Sequence, residues 1–339
     1  MSRFTPRSVL VTGGAGFIGS HFVRYALQAD LSANVINLDA LTYAGSQDNL
    51  EDVSGSDRYV FVQGDICDQE LVQSLLRKYE IDTVVHFAAE SHVDRAIAGP
   101  SVCIRTNVQG TFTLLEEARK FWLDEKRWAD TRCRFHHIST DEVYGTLGPD
   151  DPPFTETTAY ASNSPYSASK AASDHLVRAY QHTYQLPTTT TNCSNNYGSY
   201  QHQEKFIPTV IRSCLNGQPI PVYGDGSNVR DWLFVEDHCA GVWRVIENGR
   251  IGETYNIGGS NNWSNIEIAK MLCRTVADLT AENEEKFLKL ISFVTDRPGH
   301  DWRYAIDSRK IQNELGWQTA HEFEAGIRKT VEWYLARRM

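Results

Sequence analysis

Two short stretches carry the groups able to move protons. Ser139-Thr140-Asp141-Glu142-Val143-Tyr144-Gly145 sets a hydroxyl beside two adjacent carboxylates. Tyr166-Ser167-Ala168-Ser169-Lys170 sets a phenol four residues before an ammonium. That spacing puts Tyr166 and Lys170 on one face of a helix. An ammonium beside a phenol favours the phenolate, a base near neutral pH. Asp141 and Glu142 fall where a strand runs into a loop, so their side chains point apart and serve different tasks. Each pattern alone is commonplace: most Tyr-x-x-x-Lys pairs are surface pairs, and an Asp-Glu step more often begins a turn or a helix. They gain meaning only if the rest of the chain supplies a cofactor site and a substrate cradle.

The elements that must position them begin with a strand at 8–12 and the glycines Gly13, Gly16 and Gly19, which open a helix to about residue 29. A glycine turn between strand and helix lets backbone N–H groups approach a pyrophosphate at the helix N-terminus. The next strand, 34–38, ends at Asp39. A carboxylate there accepts from ribose hydroxyls and repels a 2′-phosphate, and no Arg follows closely, which favours NAD. Strands at 59–62 and 83–87 end in Gly64-Asp65-Ile66 and Ala88-Ala89. Asp65 has two readings, a partner for the adenine amine or the N-cap of a helix at 69–79. A helical stretch at 101–122 holds Thr106 and Asn107. The strand at 133–138 delivers the first reactive stretch, the helix at 166–185 carries the second, and a strand at 188–192 follows. Six strand–helix alternations predict a doubly wound, mostly parallel α/β sheet of the Rossmann type, with right-handed crossovers and a ligand crevice at the carboxyl ends of the strands.

After residue 192 the texture changes to a polar turn at 195–198, a helix at 204–216, strands at 219–223 and 229–235, a helix opening at 235, a charged loop at 296–301 and an amphipathic final helix at 322–337. No repeat or low-complexity linker separates these. The chain therefore reads as a nucleotide-binding unit, 1–192, and a smaller α/β substrate-binding lobe, 193–339, some of whose segments are free to return to the sheet. Lys205, Arg230 and Arg297 are candidates to clamp a phosphorylated substrate, although each taken singly is more ordinarily a surface cation.

Composition excludes several classes. The 339 residues are 41% hydrophobic and carry a formal net charge of −10, which argues against a nucleic-acid surface but permits a local cationic pocket. The seven cysteines are scattered, with no C-x-x-C and no Cys/His cluster at zinc spacing, so free thiols in a reducing compartment and no metal site are expected. No signal-peptide core and no apolar run of spanning length is present, and the expectation is a cytoplasmic protein away from membranes.

These residues together resemble the extended short-chain dehydrogenase/reductase family, and within it the nucleotide-sugar 4,6-dehydratases. The likeness runs through Thr12–Gly19, 41–45, Ala88–Asp94, His137–Tyr144, Ser164–Lys170, 191–198, 229–238, 254–259, 296–307 and 327–335. The Thr-Asp-Glu triplet beside Tyr-x-x-x-Lys is its most diagnostic part; sugar-nucleotide epimerases of the same fold lack the Asp-Glu pair. The resemblance implies that Gly13, Gly16, Phe17, Ile18, Gly19, Asp39, Ala40, Leu41, Thr42, Asp65, Ile66, Phe87, Ala88, Ala89, Ser91, Thr106 and Asn195 line NAD, with Tyr166 and Lys170 at the nicotinamide ribose. It implies that Ser91 and Thr140 hold a glucose, and that Asn196, Lys205, Phe206, Pro221, Tyr223, Arg230, Asn265, Arg297 and His300 hold its diphosphate and nucleoside. Phe206, Ser199 and Trp302 depart from the relatives' usual Leu, Pro and Arg.

The implied reaction on dTDP-glucose has Tyr166 oxidise C4 with help from Thr140, Lys170 keep the phenol acidic, Glu142 take the C5 hydrogen, and a protonated Asp141 release the C6 hydroxyl as water. UDP-glucose as substrate, a 4-epimerase and a non-catalytic NAD sensor are the rival readings. A homodimer is expected through the helices near 101–122 and 166–185.

Overall fold

The computed structural model describes residues 3–30, 32–296 and 299–337. Its centre is a seven-stranded parallel sheet in the order β10-β6-β5-β4-β1-β2-β3. The six N-terminal strands are β1 (Ser8–Thr12), β2 (Asn34–Asp39), β3 (Tyr59–Gln63), β4 (Thr83–His86), β5 (Arg134–Thr140) and β6 (Thr188–Cys193). Four of them, β1, β4, β5 and β6, are buried along their whole length, as strands covered by helices on both faces must be. One helical layer packs Phe22, Val23 and Ala26 of the Phe17–Ala29 helix against Val242, Trp243 and Ile246 of the Val235–Asn248 helix. The opposite layer packs Leu75, Leu76, Leu114, Trp122, Val177 and Tyr180. Strand order reverses between β1 and β4, where such a sheet opens its ligand crevice.

The expected strands and the helices at 17–29, 69–78 and 165–184 are present. Three features differ from the sequence reading. The sheet has a seventh strand, β10 (Thr254–Ile257), paired with β6 from within the 193–339 stretch. It is four residues long and flanked by Gly252 and Gly258, too short to announce itself by periodicity. The N-cap of the Gln69–Lys78 helix is Asp68, which accepts from the Leu71 N–H, and not Asp65. The helical stretch from Pro100 to Glu125 carries π turns at Ile104–Gly110 and Lys120–Glu125. Asn107 lies in the first of these and spends its side chain on the backbone of Glu90 and on Ser169.

The remaining strands are β7 (Asn195–Tyr197), β8 (Ile220–Tyr223), β9 (Val229–Phe234), β11 (Asn262–Ser264) and β12 (Ile291–Val294). They form a three-stranded sheet, β11-β9-β7, and a two-stranded pair, β12-β8. Around them Ile207, Ile211, Leu272, Val276 and Val331 build a separate core. β12 and the Asn265–Thr280 helix were not legible in the sequence.

Candidate active site

A cavity of about 420 Å³ opens at the carboxyl ends of the strands. Its floor is the glycine turn. Gly13 has φ +71°, and a Cβ there would stand 2.7 Å from the Ala88 nitrogen and Cα. The register that pairs Thr12 with His86 brings Phe87 and Ala88 against this turn, so the turn needs glycine both for its conformation and for its space. Gly19 is off the cavity wall; a Cβ on it would run into the Gly13 carbonyl. At one end Asp39 accepts from the N–H groups of Ala15 (2.9 Å) and Leu41 (2.8 Å). Its carboxylate is thereby fixed on the wall with lone pairs left for hydroxyls. Leu41 itself is not on the wall. Asp65 accepts from the Cys67 N–H and pairs with Arg105 at 2.7 Å. Gly16, Phe17, Ile18, Ala40, Thr42, Ile66, Ala89, Ser91, Thr106 and Asn195 complete the expected set on the wall. The site fits a dinucleotide: a side-chain-free turn for phosphates, a fixed acid for a ribose, and apolar wall residues Ile66 and Val102 suited to a base.

The reactive groups stand at the other end. Thr140, Glu142, Tyr166 and Lys170 share the wall with the glycine turn. β5 ends at Thr140, whose hydroxyl accepts from the Glu142 N–H and caps the 3₁₀ turn Asp141–Tyr144. Gly145 closes that turn at φ +93°, where a Cβ would meet the Ala161 carbonyl oxygen at 2.6 Å. Ser164 and Ser167 form a capping box that starts the Pro165–Tyr184 helix just before Tyr166. Asp141 is 2% exposed and lies behind the wall, not on it. Its Oδ1 accepts from the Thr140 hydroxyl at 3.4 Å, and its Oδ2 has no hydrogen-bond partner among the described residues. Burial raises its pKa well above the carboxylate range and Glu142 and Asp231 push the same way, while Arg230 and the Thr140 hydroxyl oppose them. The shift favours the protonated form of Asp141.

Tyr166 and Lys170 are both buried at the reactive end. Burial lifts Tyr166 well above its ordinary pKa, and Glu142, Cys193, Tyr43 and Asp141 lift it further. Lys170 is buried, pushed down to about 8, and donates to the Ile138 carbonyl at 2.7 Å. The two side chains share a helix face, as the spacing required.

The nucleotide-side expectations divide. Asn196 and Lys205 line the cavity. Phe206, Pro221, Tyr223, Arg230, Asn265 and His300 do not, because they belong to the lobe built on β8, β9 and the Asn265–Thr280 helix. Arg297 falls outside the described residues. Within the lobe, Arg230 stacks 4.3 Å over the Tyr304 ring, and Tyr223 meets His300 edge-on at 6.0 Å. Tyr304 feels the charges of both Glu142 and Arg230, so the lobe reaches the reactive end of the cavity there. Glu90, within the 87–91 segment expected to line NAD, is on the wall; Tyr43, Arg105, Cys193 and His202 also line the cavity and were missed. Tyr43 sits beside the recognised position 42 and Cys193 two before 195, and nearness was the available signal.

Comparison with known proteins decides the family. The family model described as GDP-mannose 4,6 dehydratase matches residues 10–330. The chain belongs to the GDP-mannose 4,6-dehydratase family. Among relatives of this family, a dTDP-glucose 4,6-dehydratase from Xanthomonas campestris pv. campestris is 56% identical over 96% of this chain and 92% of its own length. A dTDP-glucose 4,6-dehydratase from Neisseria gonorrhoeae is 54% identical over 97% of this chain and 96% of its own. The crystal structure of a dTDP-glucose 4,6-dehydratase from Streptomyces venezuelae, with NAD and TYD bound, matches with a TM-score of 0.88 at 47% identity, covering 98% of each chain.

Proposed function

We propose that this chain is an NAD-dependent hydro-lyase that converts dTDP-glucose to dTDP-4-keto-6-deoxyglucose and water. The observation that carries the reading is the pairing of Glu142, on the cavity wall, with Asp141, buried beside it where burial favours its protonated form. Elimination across C5 and C6 needs one carboxylate as base and one carboxylic acid as donor at the same moment. An epimerase would leave both without a task. The high identity to relatives named for this reaction supports the substrate.

In this reading Tyr166 takes the C4 hydroxyl proton and Thr140 holds that oxygen. Glu142 removes the C5 hydrogen, made acidic by the C4 ketone, and Asp141 protonates the departing C6 hydroxyl. NAD, when bound, would supply a hydride acceptor for C4 and the same hydride for C6, which makes the net reaction redox-neutral. Asp39, the glycine turn and Thr106 are read as its holders. Ser91, Asn196 and Lys205 are read as substrate contacts at the cavity, and Phe206, Pro221, Tyr223, Arg230, Asn265, Arg297 and His300 as those further along the nucleotide. Residues 1–192 are read as the NAD-binding unit and 193–339 as mainly the nucleotide-sugar lobe.

A homodimer through the 100–125 and 165–184 helices is supported by Val102, Ile104, Phe112 and Tyr184, which are 40–53% exposed there. Exposed apolar side chains on these helices suit an interaction surface, and sedimentation of Ile104→Asp as a monomer would support it. Seven free thiols support a reducing, cytoplasmic setting. No helix among the described residues is long and apolar enough to cross a membrane.

The test is incubation with dTDP-glucose and, separately, UDP-glucose. Loss of one water from the dTDP sugar supports the reading. A product of unchanged mass means a 4-epimerase, and preference for the UDP sugar reassigns the nucleotide.

A further inference from the structure

Beneath the reactive end, off the cavity wall, lies a second buried carboxylate that the reaction above does not use. Asp174 is 7% exposed. Its Oδ2 accepts from the Ser139 hydroxyl at 2.8 Å and from the Tyr160 hydroxyl at 2.9 Å. Its Oδ1 lies 3.1 Å from His137 Nε2. One helical turn earlier, on the same face, Lys170 donates to the carbonyl of Ile138. Asp174 and Lys170 thus hold two consecutive residues of β5, the carboxylate through Ser139 and the ammonium through Ile138.

A buried carboxylate requires hydrogen-bond donors, a counter-charge or both. The two hydroxyls supply donors. His137 supplies no charge: burial holds it well below its ordinary value, with Lys170 pushing the same way. Lys170 is the cation that acts most strongly on Asp174, and Asp174 is the carboxylate that acts on Lys170. The other groups facing the pair are Cys193 on β6, His86 on β4, which is also held neutral, and Tyr144 and His175 on the Asp174 side.

We propose that Asp174 is a positioning residue for the chemistry at Tyr166: fixed by Ser139 and Tyr160, it keeps Lys170 charged and aimed from behind. The inference rests on the roles read for Tyr166 and Lys170 above. It is consistent with Lys170 standing at about 8 and Asp174 at about 6, which leaves both ionised in the interval between.

The test uses the full-length holoenzyme. Asp174→Asn keeps the shape and one acceptor but removes the charge. The alkaline limb of kcat should then move down by about 1 to 3 pH units, the size of an adjacent opposite charge, with KM and retained NAD unchanged and with Asp174→Glu restoring the limb. A ¹³Cε NMR titration of Lys170, assigned by its loss in Lys170→Met, should show the same fall without reference to turnover. Tyr160→Phe, a milder change, removes one donor from the carboxylate and should raise the acid limb. An unmoved Lys170 midpoint in Asp174→Asn, or a loss of kcat uniform across pH, overturns the proposal. Should Lys170→Met keep full activity, the reading of the active site fails instead, and the NMR midpoint still decides whether Asp174 sets the charge of Lys170.

Discussion

Acid should unfold this protein early, and the reason is a set of neutral imidazoles locked in its core. His21, His86, His136, His137 and His238 are each at most 8% exposed. Burial lowers His21 to about 4 and His238 to about 3, and holds the other three well below their ordinary value. Four of them have neutral partners: Thr12 and Thr111 for His86, Thr189 and Thr191 for His136, Asn196 for His238, the Ser199 carbonyl for His21. The folded pKa lies below the unfolded value near 6.5. The stability these groups contribute is therefore complete above pH 6.5 and is lost as pH falls through 6.5 toward the folded values. At pH 5.5 each unfolded imidazole is mostly protonated and each folded one is not, which shifts the balance by one to two kcal/mol per residue, about 7 kcal/mol together. Asp82 and Asp174 oppose this. Burial raises both to about 6, so the folded state takes up their protons first and regains about 1 kcal/mol from each by pH 5.5. Asp141 and Asp231, also raised by burial, oppose it in the same sense; the imidazole share, about 7 kcal/mol before that opposition, is a large part of a stability of about 5 to 15 kcal/mol. Thermal unfolding followed by circular dichroism across that range should show a midpoint falling by on the order of 10 °C. His21→Asn should flatten the curve by roughly one fifth, its share of five such groups. A midpoint constant from pH 8 to 5.5 would refute the reasoning.

Tyr166→Phe should lower turnover by about 10²- to 10⁴-fold, the usual weight of a general base, with no reduced nicotinamide formed on mixing with dTDP-glucose; full activity would assign the first proton transfer elsewhere. Glu142→Gln should still show the absorbance of a reduced nicotinamide in stopped flow but no exchange of the C5 hydrogen with D₂O, and normal exchange would remove Glu142 as the base. Gly13→Ala should purify without cofactor, because the side chain meets Ala88 at 2.7 Å in a left-handed turn, a conformation that costs about 1 to 2 kcal/mol before any clash; retained NAD at wild-type occupancy would contradict the turn's role.

What the sequence disclosed was what local chemistry dictates. The glycine turn, Asp39 and the Tyr166–Lys170 spacing are short-range patterns, and the fold places them on one cavity wall. The strand ends that carry Asp65, Ala88 and Thr140 followed from strand–helix alternation. What escaped depends on long-range packing. β10 is four residues whose partner, β6, lies more than sixty positions away. The upward shift of Asp141 could be anticipated from its neighbour Glu142, but the larger cause is burial, which no spacing reveals. Burial likewise raises Tyr166. Phe206, Tyr223 and Arg230 stand apart from the cavity because the lobe that carries them has its own core around Ile211 and Leu272.

The central claim is that one pocket moves a hydrogen from C4 of the sugar to C6 of the same molecule while Glu142 and Asp141 expel water between those events. Substrate labelled with deuterium at C4 tests it most directly. The account predicts a 4-keto-6-deoxy product that has lost one water, carries the deuterium at C6, and acquires a solvent hydrogen at C5. Deuterium left at C4, or released to the medium, would contradict it.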